Sequence, residues 1–284
     1  MKRENNFDLT NYNSYRLKAK CRTAFFPETE EEIIALYRKR KDYILLGGGY
    51  NVILSQQYYD RDFIIFNGNF QNYNINLLGL LEAESGCSMI SLSNIALESS
   101  LSGLEIFCDI PGSLGGAVVM NAGASGEEIK DILVKIRYLD LENMTIDELS
   151  RADLQFGYRN SLFQRKSNMI VLKAWLQLKG ADKSAINEKM ESVKAARWAK
   201  QPKEWPNAGS VFKRPVGHFV GPMIEELGLK GFSIGGAKIS EKHGGFIINY
   251  NNASGSDILK IISVVKEKVF TRYGVDLEVE QRIV

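Results

Sequence analysis

Ser210 stands in the run Gly209-Ser210-Val211-Phe212-Lys213, inside a stretch, 202–222, that holds four of the six prolines. A serine hydroxyl is a poor acid in water, but beside an ammonium group it can deliver a proton at short range to an enolic centre. A serine that merely forms a turn is the plainer alternative. Arg159, in Gly157-Tyr158-Arg159-Asn160-Ser161, has the planar fork that binds a carboxylate or enolate oxygen, and a surface salt bridge is its ordinary alternative. Asp276, Glu278 and Glu280 share the polar side of an alternating C-terminal run, and spacing alone does not rank them. Between 194 and 218 six basic residues (Lys194, Arg197, Lys200, Lys203, Lys213, Arg214) face one acid, Glu204. That excess suits an anionic ligand such as a diphosphate, with a solvated helix face as the alternative for Lys194, Arg197 and Lys200.

Two glycine clusters could hold an anion by main-chain contact. Gly47-Gly48-Gly49-Tyr50-Asn51 lies between two apolar runs, where backbone N–H groups can close as a nest or simply make a tight connection. Pro111-Gly112-Ser113-Leu114-Gly115-Gly116-Ala117, followed by Asn121-Ala122-Gly123-Ala124, brings backbone close to something flat or charged, such as a dinucleotide, or packs on a neighbouring helix. Neither a P-loop nor a G-x-G-x-x-G signature occurs. His218 and His243 are 25 residues apart with no Glu or Cys at ligand spacing, so no metal site is expected. Trp198 and Trp205 flank the proline loop and are expected to pack in the core or at a domain interface, with stacking on a uracil ring as the alternative.

The elements that must position these residues are a mixture of helices and strands. Thr29 and Glu32 have capping-box spacing ahead of Ile33, Ile34 and Leu36, and Arg38-Lys39-Arg40-Lys41 follows at the negative end of the helix dipole. Strands are expected at 43–46 and 52–54 around the first glycine run, and at 63–66, 104–107, 134–141 and 170–178. Helices are expected at 88–101 and 184–197, and from Ser256 along Ile258, Ile261, Ile262, Val265 and Val269 to a stop at Gly274. The tail from Val275 to Glu280 alternates as a strand. A domain junction is expected near 180, and an irregular functional loop at 200–217.

With 284 residues, 44% hydrophobic and 25% charged, the chain is long enough for about two domains, and its composition excludes disordered and fibrous classes. A net charge of +2 is too small for a nucleic-acid-coating protein. Cys21, Cys87 and Cys108 form neither a disulfide framework nor a zinc spacing, which suits reduced thiols. The N-terminus has no signal-like apolar stretch and nothing approaches a membrane span, so a cytoplasmic protein without membrane contact is expected.

Gly103 through Gly123, with Gly157-Tyr158-Arg159-Asn160-Ser161, Ala208 through Lys213 and Leu229-Lys230-Gly231, resembles the UDP-N-acetylenolpyruvoylglucosamine reductase family, in the same order and over nearly the whole chain. The short span between Gly157 and Lys179 resembles the shorter form, without the extra substrate-covering loop. The resemblance implies an α+β fold: an FAD-binding region of the vanillyl-alcohol-oxidase (PCMH) type with subdomains at 1–66 and 67–180, a separate α+β substrate domain at 181–274, and a C-terminal strand, 275–284, returning to the active site. It implies FAD held by Gly47, Gly48, Gly49, Tyr50, Asn51, Gly112, Ser113, Gly115, Gly116, Asn121, Ala122 and Gly123. Ser210, Arg159 and Glu280 are the implied catalytic residues, and Arg197, Lys200, Lys213 and Lys230 the implied substrate contacts.

The implied reaction is NADPH-driven reduction of UDP-N-acetylglucosamine enolpyruvate to UDP-N-acetylmuramate in peptidoglycan precursor synthesis. The implied partners are these small molecules, and the oligomeric state is open. There are four departures from the family's usual pattern: Tyr50 stands for Ser, the element Lys18-Ala19-Lys20-Cys21 for Gly-Gly-x-Ala, Arg214 for Asn and Gln281 for Val. Tyr50 and the 18–21 element motivate one rival, an FAD-free UDP-sugar-binding paralogue; a second rival is another flavin oxidase or dehydrogenase of the same superfamily, against which the Ser210 loop and Glu280 speak.

Overall fold

Local capping chemistry sets the first helix, α1 (Glu30–Lys39): the Thr29 hydroxyl accepts from Glu32 N–H, three glutamates occupy the first turn, and Arg38 and Lys39 occupy the last. The structure, a computed structural model, describes residues 1–40 and 42–284; the expected contribution of Lys41 lies outside them. The chain divides into two compact units. One comprises 1–4, 23–48 and 61–195, the other 5–22, 49–60 and 196–284. The sequence-based limits at 66, 180 and 274 coincide with none of these boundaries, because strand pairing joins segments far apart in the chain.

The first unit is built on a five-stranded antiparallel sheet, ordered Thr145–Ser150, Leu133–Asp140, Met169–Gln177, Leu80–Glu84, Tyr73–Ile75. Alternation along these strands feeds two cores. Leu81, Ala83, Ile136, Ala174 and Leu176 pack with Met89, Leu92 and Ala96 of α2 (Met89–Glu98) and with Leu114, Ala117 and Val118 of α3 (Leu114–Met120). Leu139, Ile170 and Leu172 pack instead with Ile33, Leu36 and Tyr37 of α1 and with Ile64. Ile44–Leu46 runs parallel to Phe63–Ile65 and delivers the chain to Gly47. A short helix, α4 (Leu162–Arg165), follows Ser161, and α5 (Lys183–Lys200) continues past the boundary at 195.

In the second unit α6 (Val220–Glu226) and α7 (Gly255–Tyr273) accompany a three-stranded antiparallel sheet of Ser233–Ile234, Ala237–Ile239 and Ile247–Asn249. Ser254 and Asp257 form a reciprocal capping box at the start of α7, and left-handed Gly274 ends it. The apolar stripe expected from the sequence is buried in full. Asn13 winds the N-terminal segment into place: its Nδ2 donates to Leu9 O and Leu17 O, and its Oδ1 accepts from Leu17 N–H.

Three sequence expectations need correction. Residues 104–107 are not a strand; Glu105–Phe107 is one 3-10 turn, because the Glu105 carboxylate accepts from Gly103 N–H and the Ser102 hydroxyl and closes the backbone locally. The tail is not a regular strand through 275–280; it bonds to 211–213 at alternate residues, and only Arg282–Ile283 pairs as a strand, parallel to Val52–Ile53. Trp198 and Trp205 are not core residues, being 54% and 42% exposed. The loop from 201 to 219 is irregular, where irregular chain was expected at 200–217, and none of the three cysteines is in a disulfide. Among the described residues no helix is long and apolar enough to cross a membrane.

Candidate active site

In the first unit Gly47 and Gly48 meet the second glycine cluster. Gly47 passes so close to Ser113 that a Cβ there would lie 2.4 Å from the Ser113 Oγ. That oxygen also accepts from Gly48 N–H (3.4 Å) and Gly116 N–H (3.3 Å), so one hydroxyl caps α3 and ties the first run to the second. Gly115 sits where a Cβ would fall 2.7 Å from the Ser85 Cβ, whereas one at Gly112 would meet nothing within 4 Å. The result is a main-chain cradle, closed to side chains on one side and open beside Gly112. It fits a dinucleotide diphosphate, which needs backbone N–H groups at close approach.

The C-terminal end of α3 holds Arg159. Asn121 ends the helix in the left-handed region (φ 46°) and is fully buried. Its Nδ2 donates to Gly157 O and Glu128 Oε2, both at 2.9 Å, and its Oδ1 accepts from Lys130 N–H. Gly157 and Asn160 exchange main-chain hydrogen bonds, which makes Gly157–Asn160 a closed turn with Arg159 at φ 50°. The Arg159 guanidinium donates to Gly123 O (2.7 Å) and Asn121 O (3.4 Å). The Ser161 hydroxyl donates to Val119 O at 2.7 Å and fastens the same turn to the helix. Asn121 and Gly123 thus lie with Arg159, and Gly47 and Gly48 with Ser113.

In the second unit the 208–213 segment runs between two neighbours. Val211 N–H donates to Gly245 O (3.0 Å), Glu280 N–H to Val211 O (2.8 Å), and Lys213 N–H to Glu278 O (2.9 Å). Ser210 is exposed on this segment, and Glu280 is half-buried beside it. The structure separates the three tail acids. Glu278 pairs with Lys213 at 2.5 Å and Asp276 with Lys266 at 3.2 Å, both carboxylates lying mostly in solvent. Glu280 instead offers its carbonyl to Asn51 Nδ2 (3.2 Å), while Asn51 O accepts from Arg282 N–H. Gly49 is left-handed at φ +73°, and a Cβ there would lie 2.0 Å from Tyr12 O, so this position admits only glycine. Tyr50, the departure from the family pattern, is 41% exposed.

Of the expected anion contacts, Arg197 is half-buried and Lys200 exposed at the end of α5, and Lys230 lies 3.4 Å from Glu225. The Arg214 guanidinium stacks 3.8 Å over the Phe219 ring. His243, between α6 and Gly245, accepts from Gly245 N–H at Nδ1 (3.0 Å). Burial holds its imidazole below the ordinary value, and Lys230 adds to the effect.

Sequence reasoning missed Tyr15. It is fully buried, and its hydroxyl donates to Gln281 Oε1 at 3.0 Å. Burial pushes the phenol well above its ordinary value, so it stays protonated and serves as a donor. No local pattern marks it, since its partner lies 266 residues away.

The fold with its glycine cradle is that of an FAD-binding protein: residues 22–149 match the family described as FAD binding domain. Residues 201–284 match the family described as UDP-N-acetylenolpyruvoylglucosamine reductase, C-terminal domain. The chain is 37% identical over 278 residues to the reductase of that name from Francisella tularensis, covering 97% of this chain and 98% of the relative. To the one from Caldanaerobacter subterraneus it is 40% identical over 283 residues, covering 98% and 92%. The crystal structure of the Thermus caldophilus reductase superposes with a TM-score of 0.84 at 32% identity, over 99% of this chain and 98% of that one. The chain therefore belongs to the UDP-N-acetylenolpyruvoylglucosamine reductase family.

Proposed function

We propose that the protein is a cytoplasmic, NADPH-dependent flavoenzyme that reduces UDP-N-acetylglucosamine enolpyruvate to UDP-N-acetylmuramate. What carries the reading is family membership over nearly the whole chain, with the Ser210 segment bonded directly to Glu280. When bound, FAD supplies the hydride, accepted from NADPH and passed to C3 of the enolpyruvyl group.

The chain's own residues do the rest. Gly47, Gly48, Gly112, Ser113, Gly115 and Gly116 cradle the FAD diphosphate, Gly49 and Asn51 continue that loop, and Asn121, Ala122 and Gly123 line the far end of α3. Arg197, Lys200, Lys213 and Lys230 attract the UDP diphosphate and the substrate carboxylate. Addition at C3 leaves negative charge shared between C2 and the carboxylate. The Arg159 fork binds that charge with two parallel donors, and Glu280 orients the polar groups around it. The Ser210 hydroxyl delivers its proton to C2 and recovers one from solvent.

The test is the colour and turnover of purified protein. A yellow preparation should oxidise NADPH only when the enolpyruvyl sugar is present and form the lactyl ether in equal amount. A colourless protein that FAD does not restore would overturn the reading in favour of an FAD-free UDP-sugar-binding paralogue.

A further inference from the structure

Gln281, the residue after Glu280, is buried, and both ends of its amide are engaged. Nε2 lies 3.1 Å from Ala208 O, 3.2 Å from Gly209 O and 3.4 Å from Ser210 O. Oε1 accepts from the Tyr15 hydroxyl. Chemistry dictates this orientation: carbonyls only accept, so the NH2 must face them, and the oxygen must face the hydroxyl. The next carbonyl in the series, Val211 O, accepts from Glu280 N–H. Four consecutive carbonyls of the segment that carries Ser210 are therefore gathered by two adjacent tail residues.

Tyr15 is anchored in turn. Its own carbonyl accepts from Asn249 Nδ2 (2.8 Å), and Asn249 N–H donates to Pro206 O (2.9 Å), at the start of the same segment. The hydroxyl fixes the amide, the amide fixes carbonyls 208–210, and Glu280 N–H fixes 211. A shift of the Gln281 side chain would move Ser210 relative to Glu280.

We infer that Tyr15 and Gln281 are positioning residues that set the Ser210 hydroxyl in register with Glu280, acting on proton delivery without touching substrate. The inference rests on the proposed roles of Ser210 and Glu280. Gln281→Met keeps the length of the side chain and removes both amide functions; Tyr15→Phe removes one hydroxyl and is the milder probe should the first variant fold poorly.

In the FAD-loaded enzyme, stopped-flow traces at the flavin band separate reduction by NADPH from reoxidation by substrate. Both variants should leave the first within about twofold and slow the second, Gln281→Met by about 10²-fold, the scale of a misplaced catalytic group. The double variant should be no slower than Gln281→Met, because Tyr15 acts through the amide. Hydrogen exchange of amides 207–213 should quicken in each variant. Equal slowing of both half-reactions, unchanged exchange, or faster exchange with unchanged reoxidation would each overturn the inference. Ser210→Ala, measured alongside, separates the two layers. If it slows reoxidation while Gln281→Met does not, only the positioning role falls; if Ser210→Ala has no effect, the acid assignment falls and takes the positioning role with it.

Discussion

A methyl group on Gly47 would lie 2.4 Å from the Ser113 hydroxyl oxygen, the atom that caps α3 and accepts from Gly48 N–H. Gly47→Ala must expel that oxygen, so the cap is lost with the contact. A lost serine cap costs about 1 kcal/mol, and FAD should leave the variant more readily on dilution. In a Ser113→Ala background the added cost of Gly47→Ala should shrink to a few tenths of that figure, because the clash is gone. Urea midpoints of the four proteins check this; equal costs in both backgrounds would assign the effect to another contact.

Ser210→Ala should leave NADPH oxidation by the bound flavin intact, since that step needs no protein acid. Reoxidation by the enolpyruvyl sugar should slow by about 10²–10⁴-fold, the usual worth of one positioned acid. Paired anaerobic stopped-flow traces decide it. If neither step slowed, Lys213 would become the first alternative, although its ammonium is already paired with Glu278.

Arg159→Lys keeps the charge but loses the fork. It also loses at least one of the two carbonyl contacts that hold Arg159 to Asn121 and Gly123. Reoxidation by substrate should slow by about tenfold or more, in line with loss of a bidentate, charge-assisted contact. Unchanged reoxidation would remove Arg159 from the chemistry.

His243 predicts a pH response in stability. Its imidazole is held below the ordinary value of 6.5, so the folded chain resists a proton that the unfolded chain accepts. Stability from this group is complete above about pH 6.5 and is lost progressively as pH falls below that value through the lower folded-state one. His243→Asn keeps an acceptor for Gly245 N–H without the titration. The wild type should therefore lose more of its urea midpoint than the variant between pH 7.5 and 5.5, a window above the carboxylates that titrate low, such as Glu105 and Asp257. Parallel curves would show that another group carries the change.

What the sequence disclosed was what short-range chemistry decides. Thr29 and Gly274 mark helix ends because each acts on backbone a few residues away, whereas the last helix, expected from Ser256, is capped by Ser254 and starts at Gly255. Ser210, Arg159 and Glu280 were singled out through motifs in a fixed order, and their roles are proposals. Residues 104–107 misled because three apolar residues around Glu105 read the same in a strand and in a buried turn, and the deciding contact is the Glu105 carboxylate on Gly103. α3 went unread because Gly115 and Gly116 lower its propensity; packing of Leu114, Ala117 and Val118 and the Ser113 cap offset that. Gln281 was visible as a departure, but its meaning depends on Tyr15, at the opposite end of the chain.

The second unit draws on residues 5–22, 49–60 and 196–284. On the ribosome its earliest segments are made long before their partners: Tyr15 waits for Gln281, and Val52 for Arg282. Segment 5–22, with Leu9, Tyr15 and Leu17 destined for burial, must stay exposed while the 61–195 stretch of the first unit is synthesised and can already collapse. A nascent chain stalled after residue 200 should therefore present a protected middle and a protease-sensitive beginning, and the acid loop should acquire its shape only with the final few residues of the tail.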